Sequence, residues 1–127
     1  MSRILVVDDE AAMRDLLRIV LEKERHEVLT AGDGVTGLSL ATSRSVDLVI
    51  SDIKMPGLDG VGLLAGLRQQ GRTTPVIMIT AYADSESAIQ AMKQGAYDYL
   101  TKPFKMDEIK LVIRRALAEA ARQAETE

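Results

Sequence analysis

Acids, a hydroxyl and an amine each stand at the end of a short apolar segment in this chain. The residues are Asp8 and Asp9 after segment 4–7, Asp52 after segment 48–50, Thr80 after segment 76–79, and Lys102 after segment 97–101. If the chain brought them together, the carboxylates would repel one another, and a divalent cation would relieve that repulsion. Carboxylates with water suit magnesium, and Lys102 would complete the charge balance. Such a site could also tolerate the added negative charge of a phosphoryl group.

The apolar segments predict β-strands. Segments 4–7, 48–50 and 76–79 are continuously apolar rather than alternating, which is typical of parallel strands covered on both faces. Segments 28–31 and 97–101 are weaker, and we expect the latter to lie toward an edge of the sheet.

Amphipathic helices are predicted between and after these strands. Apolar residues at helical spacing mark the first and last helices, and three others are expected over 35–43, 60–70 and 84–94. Gly71 and Gly95 are predicted to end helices. The apolar positions of the two outer helices are Met13, Leu16, Leu17, Val20 and Leu21, then Ile109, Val112, Ile113, Ala116, Leu117 and Ala120.

The resulting order is a strand followed by a helix, five times over. Such alternation predicts right-handed crossovers and a three-layer α/β sandwich. In open α/β folds, ligands bind beyond the carboxyl ends of the strands, where the polar residues fall here. An ordinary alternative is that Asp9 or Glu10 only caps the helix that begins near Ala11.

Four motifs resemble the receiver domains of two-component response regulators: VVDDE at 6–10, SDIKMPGLDG at 51–60, MITAYAD at 78–84 and GAYDYLTKPF at 95–104. The similarity covers nearly the whole chain. It implies a flavodoxin-like (βα)5 fold with a parallel five-stranded sheet of order 2-1-3-4-5. It also implies a receiver domain over 1–119, with 120–127 as a helix end or a linker toward an output domain.

The resemblance implies a phosphoacceptor and a metal site. Asp52 would accept a phosphoryl group from a phosphohistidine of a sensor histidine kinase. Asp9, Asp52 and the main-chain carbonyl of Lys54 would bind Mg²⁺ directly, and Asp8 would bind it through water. The domain would be a regulatory module, not an enzyme, although it would assist its own phosphotransfer and slow dephosphorylation.

The same resemblance implies a conformational switch. Lys102, joined to Pro103 by a cis peptide, would pair with the phosphoryl oxygens. Thr80 would donate its hydroxyl to the phosphoryl group, and the small Ala81 would leave room for it. Tyr99 would turn inward when Thr80 moves; the alternative is an ordinary half-buried edge-strand aromatic. We further hypothesise that the bulk of Lys54 and Tyr82 tunes the lifetime of the phosphoryl group by hindering water.

Tyr97 resembles receivers of the nitrogen-regulatory type, which precede an ATPase domain and a DNA-binding domain and regulate transcription. We therefore expect the fourth helix, fifth strand and fifth helix to contact a partner or a second copy in a homodimer. A solvated charged face is the ordinary alternative for the exposed residues there, namely Lys93, Asp107, Lys110 and Arg114.

A glycine pattern at 32–37 competes with this interpretation. It satisfies G-x-G-x-x-G, follows a strand and opens a helix, and Asp52 ends the next strand, as in dinucleotide-binding proteins. However, the expected strand order places it at a sheet edge, away from the ligand crevice. The ordinary explanation is a bend allowed by glycine, with Asp33 capping the helix.

Composition excludes several other classes. The 127 residues contain no cysteine and one histidine, which argues against disulfides, a cysteine nucleophile and a typical zinc site. The net charge of −3 gives no general attraction to nucleic acid. Ser51 and His26 make no convincing catalytic pair, and we expect His26 at the surface. No phosphate-loop motif occurs.

We expect a cytoplasmic protein, because the N-terminus becomes acidic too early for a signal peptide and no apolar run approaches membrane-spanning length. Two further alternatives remain open. One is a receiver-like module that does not use phosphorylation. The other is a small hydrolase with aspartyl-phosphate chemistry, although this chain has no room for the cap domain that such enzymes usually carry.

Overall fold

The computed structural model describes residues 2–81 and 86–126, with side chains as far as residue 123. This part of the chain alternates five strands with five helices. In chain order they are β1 (Arg3–Val7), α1 (Ala11–Lys23), β2 (Glu27–Ala31), α2 (Gly34–Ser43), β3 (Leu48–Asp52), α3 (Gly60–Gln69), β4 (Val76–Thr80), α4 (Glu86–Lys93), β5 (Asp98–Thr101) and α5 (Met106–Thr126).

The strands form one parallel sheet in the order β2-β1-β3-β4-β5. This order and the (βα)5 arrangement confirm the predicted flavodoxin-like fold. Both faces of the sheet are covered, because Leu5 and Val7 of β1 belong to one buried cluster with α2, α3 and α4, while Ile4 and Val6 belong to another with α1 and α5. Burial on both faces explains why the central strands are continuously apolar.

The observed boundaries differ slightly from the predicted ones. Strand β3 continues two residues beyond the predicted end at residue 50, so Asp52 is its last residue. Strand β5 begins at Asp98. Helix α4 is described from Glu86, and residues 84 and 85 of its predicted start lie outside the described residues. Helix α5 passes without a break through 119 and 120, so the boundary between the receiver domain and a linker stays a prediction.

The glycine pattern at 32–37 has a packing explanation. Asp33 caps α2 as predicted, because its Oδ1 accepts a hydrogen bond from the Thr36 N–H at 2.7 Å. A Cβ at Gly34 would collide with the main-chain carbonyl of Leu58, and one at Gly37 would lie 2.8 Å from a Val7 methyl. Among the described glycines, positive φ occurs at Gly57, Gly71 and Gly95, none of which lies within this pattern. The glycines at 34 and 37 therefore serve close packing, whereas a backbone bend was expected.

Gly71 and Gly95 end α3 and α4 as predicted. Their φ angles of 74° and 101° lie in the left-handed region that other residues rarely adopt.

Within residues 2–81 and 86–126, no helix combines the length and the apolar character that a bilayer crossing demands.

Two glycines of α3 should respond differently to alanine. A Cβ at Gly60 would lie 2.5 Å from the main-chain oxygen of Asp52, whereas one at Gly62 would lie 2.5 Å from the flexible end of Leu58 and 3.4 Å from Asp59 Oδ1. We expect Gly60→Ala to lower the free energy of unfolding by about 2 kcal/mol through steric overlap with the main chain. Gly62→Ala should stay within about 1 kcal/mol, because higher helix propensity offsets a small side-chain movement. Urea denaturation followed by circular dichroism measures both, and equal losses would contradict the packing explanation.

Candidate functional site

The carboxyl ends of the central strands bring the predicted polar residues together. Asp8 directly follows β1, Asp52 ends β3, Thr80 ends β4, and Lys102 directly follows β5. Parallel register aligns these ends, and the Lys102 N–H donates to the Thr80 carbonyl at 2.7 Å. Asp8, Asp52 and Thr80 are 1%, 7% and 0% exposed. Buried carboxylates are unusual in proteins unless they are paired or bind a metal, so this edge is the candidate site.

The Asp8 side chain is only partly satisfied. Its Oδ1 accepts a hydrogen bond from the Glu10 N–H at 2.9 Å, but its buried Oδ2 accepts none from any residue that the structure describes. The main chain of Asp8 is held by Arg14, whose guanidinium donates to the Asp8 carbonyl at 2.7 Å. Sequence reasoning missed this role of Arg14, since nothing local links a helix residue to a carbonyl six positions earlier.

Lys102 is the cation at the centre of the site. Its Nζ lies 3.2 Å from Asp52 Oδ2, 3.5 Å from Glu10 Oε1 and 3.6 Å from Asp8 Oδ2. The peptide between Lys102 and Pro103 is cis, as the resemblance implied. One ammonium therefore faces three carboxylates, and the cluster carries an excess of negative charge.

Burial and charge act in opposite directions on the site's titratable groups. Burial raises the pKa of Asp8, although the Glu10 N–H and the Lys102 ammonium oppose that rise. For Lys102, burial alone would lower the pKa, but the charges of Asp52 and Asp8 outweigh it and the pKa lies above its ordinary value. Lys102 therefore stays charged at neutral pH.

The donor set fits a hard divalent cation. Asp8, Glu10 and Asp52 each offer a carboxylate oxygen, and these oxygens lie within 4.8 Å of one another. All are oxygen ligands of the kind that Mg²⁺ prefers, and Asp8 Oδ2, which accepts no hydrogen bond from the described residues, is available to such an ion. Asp9, expected as a direct ligand, is exposed and does not belong to this described group.

Glu10 is the site residue that sequence reasoning assigned to another role, as a helix cap. Glu10 is indeed the N-cap of α1 by position, but its side chain makes no capping hydrogen bond. It contacts Lys102 instead. The signal available in the sequence was a third acid directly after the Asp8–Asp9 pair.

The residues predicted to form the switch differ in exposure. Thr80 is fully buried, whereas Tyr99 on β5 is 36% exposed and Ala81 is exposed. Tyr82 lies outside the described residues. The structure thus records Tyr99 at the surface, and its inward movement stays a prediction.

Lys54 lies two residues after Asp52, the last residue of β3. Its main-chain N–H donates to Asp52 Oδ1 at 3.3 Å, and its side chain is exposed. Its carbonyl as a metal ligand and its side chain as a barrier to water stay predictions.

The rejected serine–histidine pair is not assembled. The Ser51 hydroxyl is buried in β3 and donates to the Asp52 carbonyl at 2.9 Å. His26 lies in the turn between α1 and β2, and it is partly buried where a surface position was expected. Burial there lowers its pKa.

Removing the charge of Asp8 should stabilise the metal-free chain. Asparagine keeps an oxygen for the Glu10 N–H but removes a buried carboxylate. Because the folded pKa of Asp8 is raised, its ionisation disfavours folding above that pKa, and the cost vanishes below the unfolded pKa. We expect Asp8→Asn to raise the free energy of unfolding by about 1 kcal/mol at pH 7 with a chelator present, and by less toward pH 4.

Urea denaturation across this pH range measures the difference. The matched control is Asp15→Asn on the exposed face of α1, which should change stability by less than about 0.5 kcal/mol. A destabilised Asp8→Asn chain at pH 7 would show that the carboxylate is better satisfied than its contacts indicate.

Comparison with known proteins agrees with this geometry. The family model described as "Response regulator receiver domain" matches residues 4–114. Regulatory protein AtoC of Escherichia coli is 42% identical over 116 residues, covering 91% of this chain and 25% of its own length. The DNA-binding transcriptional regulator NtrC of Escherichia coli is 38% identical over 118 residues, with 93% and 25% covered.

Among solved structures, the receiver domain of NtrX from Brucella abortus has 44% identity and a TM-score of 0.84, with 91% of this chain and 98% of that chain covered. The chain thus spans about a quarter of the length of AtoC and NtrC and nearly all of the NtrX receiver domain. These relatives agree with the predicted nitrogen-regulatory type. With its sheet order, its buried acids and a family match over 4–114, the chain belongs to the response-regulator receiver domains of two-component signalling.

Proposed function

We propose that this chain is a phosphorylation-activated switch that accepts a phosphoryl group on Asp52. The proposal rests on the position of the Lys102 ammonium, which lies 3.2 Å from Asp52 Oδ2 and 3.6 Å from the buried Asp8 Oδ2. In this proposal Asp52 is the acceptor carboxylate, Lys102 the cation for the phosphoryl oxygens and Asp8 an acid for the metal, and the closeness of the three side chains supports these roles. Positioning and charge neutralisation are what phosphoryl transfer requires of a protein.

In the proposed reaction, a carboxylate oxygen of Asp52 attacks the phosphorus of a phosphohistidine on a sensor histidine kinase. The new O–P bond forms as the N–P bond breaks, and the imidazole leaves with the electron pair. Lys102 pairs with the transferring oxygens. Asp8, Asp9, Asp52 and the Lys54 carbonyl would hold Mg²⁺, which when bound supplies neutralisation of the developing charge.

The output of the switch would be a population shift. The phosphoryl group must bind one arrangement of Thr80 and Tyr99 better than the other, or no signal passes. Thr80 would donate its hydroxyl, Ala81 would leave space, and Tyr99 would move inward. Burial of Thr80 and exposure of Tyr99 are the arrangement expected before phosphorylation.

We also propose that the switch controls transcription within a longer cytoplasmic protein. AtoC is named a regulatory protein and NtrC a DNA-binding transcriptional regulator, and this chain covers a quarter of each. The output would be an ATPase and a DNA-binding domain, so this chain itself would contact neither nucleic acid nor membrane.

The proposed contact surface for the output domain or a second copy is α4, β5 and α5. Its exposed apolar side chains include Ile89, Met92 and Tyr99. Lys93, Asp107 and Lys110 would contribute charge. Arg114 fits this surface less well, because its guanidinium donates to Glu24 of α1 at 2.9 Å.

The proposed acceptor role of Asp52 can be tested with a small phosphodonor. Treatment with acetyl phosphate and Mg²⁺ should add one phosphoryl group, seen by intact mass, and beryllofluoride should give one adduct, seen by amide NMR. Chelation of the metal or Asp52→Asn should reduce the yield to background, because either the neutralising charge or the nucleophile is lost. Asp15→Asn is the control and should keep the full yield.

The outcomes separate the alternatives. An undiminished adduct in Asp52→Asn would place the acceptor elsewhere, and no adduct in the unchanged chain would favour a module that does not use phosphorylation. Continuous turnover of the phosphodonor would favour a hydrolase. Titration with NAD tests the dinucleotide alternative, and we expect no binding.

The phosphoryl lifetime tests the hypothesis about Lys54 and Tyr82. Replacing both by alanine should shorten the half-life of the phosphorylated chain several-fold, because water would reach Asp52 more easily. Dephosphorylation is timed by mass spectrometry after the donor is removed. Lys23→Ala, at the exposed end of α1, is the control, and an unchanged half-life in the double variant would remove the idea.

A further inference from the structure

Glu10 has contacts that the proposed reaction does not use. Its side chain is 66% exposed and could extend into solvent, yet Oε1 lies 3.5 Å from the Nζ of Lys102. It is the N-cap residue of α1, but it makes no capping hydrogen bond. The orientation of Glu10 is therefore not explained by the helix, and its contact with Lys102 is the feature that needs a reason.

Lys102 is shared among three acids that differ in what else they can bind. Asp8 and Asp52 are buried beside each other and would both serve a divalent cation. Glu10 is mostly exposed and starts the helix, so it can follow Lys102 without losing its own hydration. Arg14, the other cation nearby, donates to the Asp8 carbonyl. In the proposed function Asp8, Asp9 and Asp52 would hold the metal, and Glu10 would be the acid left to pair with the ammonium.

We propose that Glu10 is a positioning residue that pairs with Lys102 from the α1 side of the site, in competition with Asp52 and Asp8. This ion pair also competes with the pairing of Lys102 and an incoming phosphoryl group, so part of it is given up when that group arrives. The strength of the Glu10–Lys102 contact thereby sets how quickly Asp52 is phosphorylated. This inference rests on the proposed function, because it concerns the same lysine and the same acceptor.

Two variants separate the contact from the charge. Glu10→Gln keeps the length of the side chain but removes its charge. Glu10→Asp keeps the charge but shortens the side chain by one methylene group, which lengthens the 3.5 Å contact unless Lys102 or α1 moves. If Glu10 restrains Lys102 by contact, both variants release it. If only the local charge matters, Glu10→Asp behaves like the unchanged chain.

The experiment uses the full chain in two states. In the metal-free state, NMR relaxation of the Lys102 side chain should show greater mobility in both variants. At saturating Mg²⁺ with acetyl phosphate as donor, the rate of Asp52 phosphorylation should rise about threefold in both, the scale expected for loss of one partly exposed ion pair. Glu22→Gln, an exposed charge change on the same helix, should alter neither measurement.

Unchanged Lys102 mobility, or a rate at saturating metal that does not rise in Glu10→Asp, would overturn the proposal. A failure of the proposed function would look different, because no chain would then be phosphorylated, while the metal-free NMR measurement would still report on the Lys102 contact.

Discussion

Two buried carboxylates and one partly buried ammonium, at the carboxyl ends of the strands, are the constraint on which the rest of the structure depends. Asp8 and Asp52 end up side by side because β1 and β3 are neighbours in register. Burial removes most of their hydration, and their charges repel each other. Lys102 offsets part of that repulsion, yet Asp8 Oδ2 still accepts no hydrogen bond from the described residues. The features that make this edge costly without a metal are therefore those that make it suitable for one.

Repelling carboxylates stay close together only if the main chain that carries them is held rigidly. The sheet supplies this rigidity, because apolar residues on both faces of β1, β3 and β4 pack against helices and leave little freedom to the strand ends. Close approach of α3 at Gly60 holds the main chain around Asp52, and Arg14 holds the Asp8 carbonyl. The same packing therefore stabilises the core and fixes the positions of the site residues.

The site also combines rigid and adaptable parts. Asp8, Asp52 and Thr80 are buried and attached to central strands, whereas Glu10 and Tyr99 have exposed side chains near the same edge. The hydrogen bond from the Lys102 N–H to the Thr80 carbonyl couples the end of β5 to β4 beside Asp52. If the proposed phosphoryl group were added to Asp52, its charge would act first on groups that can move, while Asp8 and Asp52 stay in place. That division suits a switch, since a signal needs two arrangements of one element around a constant centre.

The amino-acid sequence by itself determined the strand and helix order, the glycine helix ends and the acids, hydroxyl and amine that follow the strands, because these depend on local periodicity and on residue type. The strand order came from family resemblance, since periodicity does not say which strands pair. Only the tertiary structure decided that Glu10 rather than Asp9 faces Lys102, that Arg14 holds the Asp8 carbonyl, and that Gly34 and Gly37 serve packing rather than a bend. Those outcomes depend on distances between residues in different elements of the fold. These distances are set when the layers pack together, and no local pattern encodes them.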